Sequence, residues 1–227
     1  LITMGGAIRR FDNFAMKSWL ETRTGLPVSV ENDANCVLLA ERWQGKAAEM
    51  ANFLVLTIGT GIGGAIFCQH QLINGARFRA GEFGYMLTDR PGGRDPRRYS
   101  MNENCTLRVL RHRYAQHIGA PLDSVTGELI FDRYDAGDPV CQRLVAEFFN
   151  GLGHGLYNLV HIFDPQTIFI GGGVVERPGF LTLLRQHLAW FGIADYLDTV
   201  SHGNDAGLIG AVYHFNQLYR SPDDDRH

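Results

Sequence analysis

The 227-residue sequence predicts an α/β fold, and three features lead to that prediction. Unbroken apolar runs typical of buried strands occur at residues 53–58 and 167–170. Helical patterns separate and flank these runs, and the longest is an apolar stripe that follows Pro139 and ends before Asp164. A glycine-rich segment follows each strand at once. Strands that alternate with helices in this way indicate a sheet covered by helices.

The first part of the chain predicts two helices with a short strand between them. Apolar residues recur at helical spacing over residues 12–24, and the Gly-Leu-Pro at 25–27 ends that helix. Residues 27–30 fit a short strand. A helix then runs from Asp33 to Gly45, and Asp33 can serve as its N-cap because a carboxylate accepts free backbone N–H groups there.

The remaining elements predict a hairpin and a set of helices. The strand at 53–58 and a second strand at 65–68 form an antiparallel hairpin around a six-residue turn. A polar loop follows at 88–100. Further helices are expected at about 104–117, 180–190 and 206–219, besides the long one after Pro139.

Composition excludes several classes of protein. Hydrophobic residues make up 45% and charged residues 20%, which is the balance of a globular protein with a buried core. The formal net charge of −3 offers no basic surplus for nucleic acid, and no apolar stretch is long enough to span a membrane. We therefore expect neither a nucleic-acid partner nor a membrane. The four cysteines are widely spaced, which favours reduced thiols and a cytoplasmic location.

Four segments carry residues suited to chemistry, and the first is Glu-Asn-Asp-Ala-Asn at 31–35, where the predicted strand meets a helix. Open α/β sheets bind ligands at the carboxyl ends of strands. Asp33 could there accept a proton from a substrate hydroxyl. The alternative is that Asp33 is only an N-cap and that Asn35 is only polar filler with no role in chemistry.

The second segment is Gly-Thr-Gly-Ile-Gly-Gly at 59–64, in the turn of the hairpin. Its glycines expose backbone N–H groups that can cradle phosphate oxygens, and Thr60 adds a hydroxyl. Six residues exceed what a tight hairpin needs. The alternative is a plain glycine turn, because the segment matches neither the P-loop nor the dinucleotide-binding pattern.

The other two segments surround Glu82 and follow the strand at 167–170. Glu82 lies between glycines and could accept two sugar hydroxyls, or it could be a solvated loop carboxylate. The Gly-Gly-Gly at 171–173 would let a nucleotide approach the backbone, although a strand-to-helix turn needs some of these glycines anyway.

Taken in this order, the four segments resemble the ROK family (repressors, open reading frames and kinases), over nearly the whole chain. Within it the sequence is similar to the bacterial β-glucoside (cellobiose) kinases. The resemblance implies an actin/hexokinase-like, ribonuclease H-like fold with two α/β lobes around a cleft. It implies ATP and Mg²⁺ as cofactors and a homodimer.

The activity implied is phosphorylation of the C6 hydroxyl on the non-reducing glucose of a β-glucoside. Two alternatives stay open. One is a kinase for a free hexose or an N-acetylhexosamine, and the other is a sugar-responsive transcriptional regulator of the same family.

The resemblance also assigns site residues by position. Asp33 matches the catalytic base, and four residues match or replace sugar-binding positions: Asn32, Glu82, Tyr85 and Glu103. The positions that match ATP contacts are Gly59, Thr60, Gly61, Gly63, Gly172, Gly173 and Gly207.

Two departures from the family pattern concern the sugar end of the site. Tyr85 stands where many members have a histidine, and residues 90–96 with a single nearby cysteine, Cys105, replace a zinc-binding cysteine cluster. Histidines and cysteines lack ligand spacing elsewhere too, so we expect no metal cage. The loss of the histidine is expected to open the pocket at sugar C1.

A third departure concerns the front of the chain. The family's phosphate motif, D-x-G-G-T after a first strand, does not occur, so the chain is expected to be a fragment with an incomplete first lobe, inactive alone. The predicted domains are residues 1–50 (remnant of the small lobe), 51–205 (large lobe), 206–220 (helix returning toward the small lobe) and 221–227 (disordered tail).

Overall fold

A computed structural model describes residues 11, 13–90, 92–93 and 95–219. The expected disordered tail, residues 221–227, lies outside these residues. The strands are β1 (Phe53–Ile58), β2 (Ile62–Cys68), β3 (Gln71–Leu72), β4 (Thr167–Gly171) and β5 (Leu197–Thr199). The helices are α1 (Met16–Thr24), α2 (Asp33–Gln44), α3 (Met101–Asn104), α4 (Leu107–Ile118), α5 (Gly127–Asp135), α6 (Pro139–Phe163), α7 (Phe180–Leu188) and α8 (Ala206–Tyr219).

The strands form one mixed sheet in the order β3-β2-β1-β4-β5. β1 and β2 are an antiparallel hairpin, and β1 also pairs in parallel with β4, which pairs in parallel with β5. The carboxyl ends of β1, β4 and β5 therefore meet at one edge of the sheet. This confirms the α/β prediction and brings the glycines after β1 and β4 together, since Thr57 pairs with Gly171.

Both faces of the sheet are buried, as the alternation along β1 shows. Leu54, Leu56 and Ile58 pack into a large cluster with α4–α7, whereas Phe53 and Val55 pack into a second cluster on the other face. α2 supplies the second cluster with Leu38 and Leu39, among others. A strand covered on both faces must be apolar at every position, which is why β1 reads as an unbroken run.

Helix α8 packs on α2 with almost no space between the two backbones. A Cβ placed on Gly210 would lie 1.7 Å from the carbonyl oxygen of Cys36, so only glycine permits this approach. Farther along, Trp43 stacks on Tyr213 with ring centroids 5.4 Å apart. The helix that carries Asp33 is thus held between the sheet and α8. The lobe boundaries at residues 50 and 205 stay a prediction.

Two predicted elements differ from the structure. Residues 27–30 are not in a strand, because no described strand pairs with them and an isolated strand has no partner for its backbone groups. The helix expected at about 104–117 is α4, which begins three residues later, at Leu107. The fully buried Thr106 is its N-cap and accepts the N–H of Val109, and the short helix α3 ends before it at Asn104.

Candidate active site

The amino end of α2 carries the predicted catalytic base. Asn32 is the N-cap, and its Oδ1 accepts the N–H groups of Ala34 (2.9 Å) and Asn35 (3.2 Å). The expectation that Asp33 caps the helix is therefore wrong, because the preceding asparagine takes that place. Asp33 is instead the first residue of α2 and is exposed, with one carboxylate oxygen accepting the N–H of Ala34. Its carboxylate remains accessible to a substrate.

The side-chain carboxylate of Glu31 holds the first turn of α2 in place through hydrogen bonds. One of its carboxylate oxygens accepts the N–H of Asn32 (2.7 Å) and the side-chain amide of Asn35 (2.9 Å). Asn35 is 7% exposed, so it is a buried structural residue. Its side chain bonds to Glu31, four residues earlier in the chain.

Glu82 and Asp33 lie within electrostatic range although 49 residues separate them in sequence. Burial raises the pKa of the Glu82 carboxyl, and the negative charge of Asp33 adds to the rise, while Arg79 opposes it. The family resemblance assigns Asp33 and Glu82 to one sugar site, but it does not predict the influence of Arg79 on Glu82. The segments that carry these two carboxylates both pack on the first residues of β2, because a Cβ on Gly63 would lie 3.4 Å from the Cβ of Ala34 and one on Gly81 would lie 2.5 Å from the carbonyl oxygen of Gly64.

Glycines let the Glu82 segment lie directly on β2. Gly81 has φ +85°, and a Cβ there would lie 2.5 Å from the carbonyl oxygen of Gly64. A Cβ on Gly64 would in turn lie 2.1 Å from the ring of Phe83, which is buried. Gly64 is thus needed for packing, which sets the position of Glu82.

The turn of the hairpin is shorter than predicted. Ile62, Gly63 and Gly64 belong to β2 and pair with Leu56–Ile58, which leaves only Gly59, Thr60 and Gly61 in the loop. A Cβ on Gly63 would lie 2.5 Å from Oγ1 of Thr57, so this glycine serves strand packing. Thr60 and Gly61 are exposed and can meet a ligand.

The predicted nucleotide glycines lie at the same sheet edge. Gly172 has φ +103°, and a Cβ there would lie 2.2 Å from the carbonyl oxygen of Ile58, just before the hairpin loop. Gly173 is exposed, and nothing lies within 4 Å of a Cβ built there or on Gly207. A hydrogen bond from the N–H of Asn204 to the Glu176 carboxylate (3.1 Å) joins the segments that follow Gly173 and precede Gly207.

The remaining sugar-site candidates are exposed. Glu103 forms an ion pair with Arg108, with Oε1 and Nη2 2.8 Å apart. Tyr85 is 46% exposed, and its N–H donates to the carbonyl of Glu82 at 3.1 Å. This hydrogen bond ties Tyr85 to the Glu82 segment.

The thiols are unpaired, and burial raises the pKa of Cys36 to about 11 and that of Cys105 to about 12. Among the described residues no group of three or more His, Cys, Asp or Glu side chains could hold a metal ion. Residues 91 and 94 of the polar loop are outside that description.

Within the described ranges, no helix combines the length and apolar character that a bilayer crossing requires.

A cavity of about 640 Å³ lies elsewhere on the molecule. It contains none of the predicted site residues and is lined by Leu87, Thr88, His154, Tyr157, Asn158, Trp190 and Phe191. The predicted site is instead an open edge, formed by the hairpin loop, Asp33 and Glu82.

Comparison with known proteins identifies the family of the chain. The ROK family model matches residues 2–217. A protein of Listeria innocua named β-glucoside kinase is 60% identical over 218 residues, which are 96% of this chain and 74% of that protein. A β-glucoside kinase of Listeria monocytogenes is 58% identical over the same shares of the two chains.

Solved structures give the same result. The Lmo2764 protein of Listeria monocytogenes, to which N-acetylmannosamine kinase activity has been attributed, superposes with a TM-score of 0.90 at 58% identity, over 96% of this chain and 75% of that one. A ROK glucokinase of Streptomyces griseus in complex with glucose and AMPPNP superposes with a TM-score of 0.74 at 26% identity, over 87% and 71%. The predicted actin/hexokinase-like fold is confirmed. The chain belongs to the ROK family, among its sugar kinases.

Proposed function

We propose that the complete enzyme transfers the γ-phosphoryl group of ATP to the C6 hydroxyl on the non-reducing glucose of β-glucosides such as cellobiose. The observation that carries the proposal is that the segments of Asp33 and Glu82 both pack on Gly63 and Gly64, directly after the hairpin loop. The identity of 60% to a protein named β-glucoside kinase supports the substrate class.

Asp33 is the general base of the proposed reaction. Its exposed carboxylate accepts the C6 hydroxyl proton as that oxygen attacks the γ-phosphorus. An O–P bond forms, the bond from the γ-phosphorus to the bridging oxygen breaks, and ADP leaves with the electron pair. The base gives up its proton to solvent after the product departs.

The sugar is oriented by Glu82, with Asn32, Glu103 and Tyr85 at its edges. An ionised carboxylate accepts hydrogen bonds from two hydroxyls, and the partial burial of Glu82 strengthens such bonds. Because burial raises the pKa of Glu82, sugar binding is lost on acidification at a higher pH than an exposed glutamate would give. Orientation of this kind can supply several kcal/mol of barrier reduction, up to about 7–11 in model systems.

ATP is proposed to lie along the glycine edge, with its phosphates on the hairpin loop. Thr60 and Gly61 offer an exposed hydroxyl and backbone N–H groups, and the open space at Gly173 and Gly207 admits the nucleoside. Mg²⁺, when bound with ATP, would neutralise charge on the phosphoryl oxygens. Gly59 and Gly63 then act by shaping the loop.

Specificity for a β-glucoside is proposed to come from a sugar pocket that is open where C1 of the glucose lies. Tyr85, nearly half exposed, replaces the histidine of many family members, and the polar loop replaces their cysteine cluster. A pocket closed around a free anomeric hydroxyl rejects a bulky substituent, whereas an open one accepts it.

Steady-state kinetics test this proposal on the chain completed to the length of its relatives. We expect kcat/KM for cellobiose to exceed that for glucose by at least about tenfold, or roughly 1.4 kcal/mol. An α-glucoside and N-acetylmannosamine serve as the other substrates. Tyr85→His is the matched variant and should reduce the preference for cellobiose. Equal use of glucose, or preference for N-acetylmannosamine, would leave a sugar kinase but remove the β-glucoside specificity.

We further propose that the enzyme is a cytoplasmic homodimer. ATP and reducing conditions are both found in the cytoplasm, which suits four unpaired thiols. Light scattering during size-exclusion chromatography would measure the mass of the assembly.

A further inference from the structure

We infer that Asn102 is a positioning residue that couples the binding of sugar to the binding of nucleotide. The inference rests on the proposed function, which assigns the hairpin loop to phosphate and Glu82 and Glu103 to sugar. Asn102 itself belongs to neither set. It lies at the start of α3, half-buried, 40 residues beyond the loop it contacts.

The hairpin loop is held at both of its ends by residues 102–107. The N–H of Leu107 donates to the carbonyl oxygen of Gly59 at 3.2 Å, where the loop begins. Oδ1 of Asn102 accepts the N–H of Ile62 at 2.8 Å, where the loop ends. A Cβ built on Gly61 would lie 3.3 Å from the same oxygen, so the side chain also limits how far the loop can move.

The same side chain touches the segment that carries Glu82. A Cβ placed on Gly84 would lie 2.4 Å from Nδ2 and 2.6 Å from Oδ1 of Asn102, which shows how closely the amide packs on that backbone. Gly84 follows Glu82 by two residues, inside the short helical turn Phe83–Tyr85. Asn102 is therefore wedged between the loop assigned to phosphate and the segment assigned to sugar.

Arg108 extends this connection to Glu103. One guanidinium nitrogen, Nη2, lies 2.8 Å from the Glu103 carboxylate and 3.3 Å from the carbonyl oxygen of Asn102. A sugar that engages Glu103 would act on the same short stretch of chain that supports the loop. Because Asn102 is uncharged, this support does not depend on pH.

A shared support of this kind has a thermodynamic consequence. If sugar binding orders the Glu82 and Glu103 segments around Asn102, it also orders the hairpin loop, and the nucleotide then binds with less loss of freedom. The coupling is reciprocal, so each ligand should tighten the other by the same factor. Without the side-chain amide of Asn102, the Ile62 N–H loses its acceptor. The hairpin loop is then no longer held at the end that joins β2.

Calorimetric titration of AMPPNP, with and without saturating sugar, measures the coupling. The sugar is whichever of cellobiose or glucose the completed enzyme phosphorylates, so the result does not depend on the β-glucoside specificity. We expect sugar to tighten AMPPNP at least about fivefold in the natural sequence, within the range typical of coupled sites. In Asn102→Ala the factor should fall toward one, the value for independent sites.

Two further variants separate positioning from simple destabilisation. Asn102→Asp keeps the size and the acceptor, so it should keep the coupling factor even though its charge weakens AMPPNP binding. Thr126→Val removes the N-cap of α5, where Oγ1 accepts the Leu129 N–H, and should lower stability without changing the coupling.

If Asn102→Ala does not fold, Asn102→Ser is used in its place. The serine hydroxyl is one bond too short to reach the N–H of Ile62. The inference is overturned if the natural sequence shows no coupling, or if the alanine or serine variant retains it.

Discussion

Helices α2 and α6 begin in the same way and then differ in what holds them. Each has an asparagine or aspartate N-cap whose Oδ1 accepts two backbone N–H groups, Asn32 for α2 and Asp138 for α6. α6 buries eleven residues of its 25, all apolar, cysteine or glycine, in the main core. α2 buries two polar side chains as well, Asn35 and Glu41.

The polar contacts of α2 are directional, and they reach across the chain. The fully buried Glu41 accepts the hydroxyl of Ser201 at 2.8 Å, the N–H of Lys46 at 3.1 Å and the N–H of Ser201. Apolar packing tolerates small shifts, but a hydrogen bond weakens steeply when its angle changes. The difference indicates that directional polar contacts fix the position of α2, through Asn35 near its amino end and Glu41 near its carboxyl end, whereas apolar burial holds α6.

The largest expected effect separates these roles at Asp33, the proposed base. Asp33→Asn in the completed enzyme should lower kcat by about 10²–10⁴-fold, the usual contribution of a general base. The amide keeps the shape of the side chain, so Tm and sugar affinity should change little. Steady-state kinetics and calorimetry measure these quantities, and a kcat near that of the natural sequence would remove Asp33 as the base.

The core of α6 should show the opposite pattern. Phe149 is fully buried among Phe131, Phe180 and His187, with ring centroids 6.4, 5.7 and 4.8 Å away. Phe149→Ala should cost about 3–5 kcal/mol of unfolding free energy through lost burial and a cavity. Urea denaturation measures this cost. Enzyme that remains folded should retain its kcat, and a selective loss of kcat would contradict the comparison.

The smallest effect compares the two N-caps directly. Asn32→Ala should cost about 1 kcal/mol of stability and also lower kcat, because Asn32 holds the turn that presents Asp33. Asp138→Ala should lower Tm by a few degrees and leave kcat unchanged.

The two caps should also differ in pH dependence. The backbone N–H of Cys141 is the main cause that lowers the pKa of Asp138 in the folded state. Its stabilisation is therefore present above the ordinary aspartate pKa and is lost as the pH falls through the folded value. Asn32 does not titrate, so the cost of Asn32→Ala should stay constant over that range. Thermal unfolding between pH 7 and acidic pH tests the difference, and equal behaviour of the two variants would refute it.

The sequence allowed β1, β2, β4 and the long helices to be predicted because their signals are local, whereas the short strands β3 and β5 were not predicted. In β1, β4 and α6 the apolar residues that form the sequence pattern are the same residues that are buried in the fold. The family motifs were readable for a similar reason. Glycines at 64, 81 and 172 meet neighbouring atoms so closely that no other residue fits.

What only the tertiary structure decided is which distant segments meet. The cap at Asn32 in place of Asp33, the electrostatic range between Asp33 and Glu82, and the bond from Ile62 to Asn102 each join groups whose partner the sequence does not mark. A hydrogen bond depends on distances of a few tenths of an ångström and on angle. These distances and angles are fixed by the packing of whole elements, such as α8 against α2. They therefore cannot be predicted from the residues that neighbour a side chain in sequence.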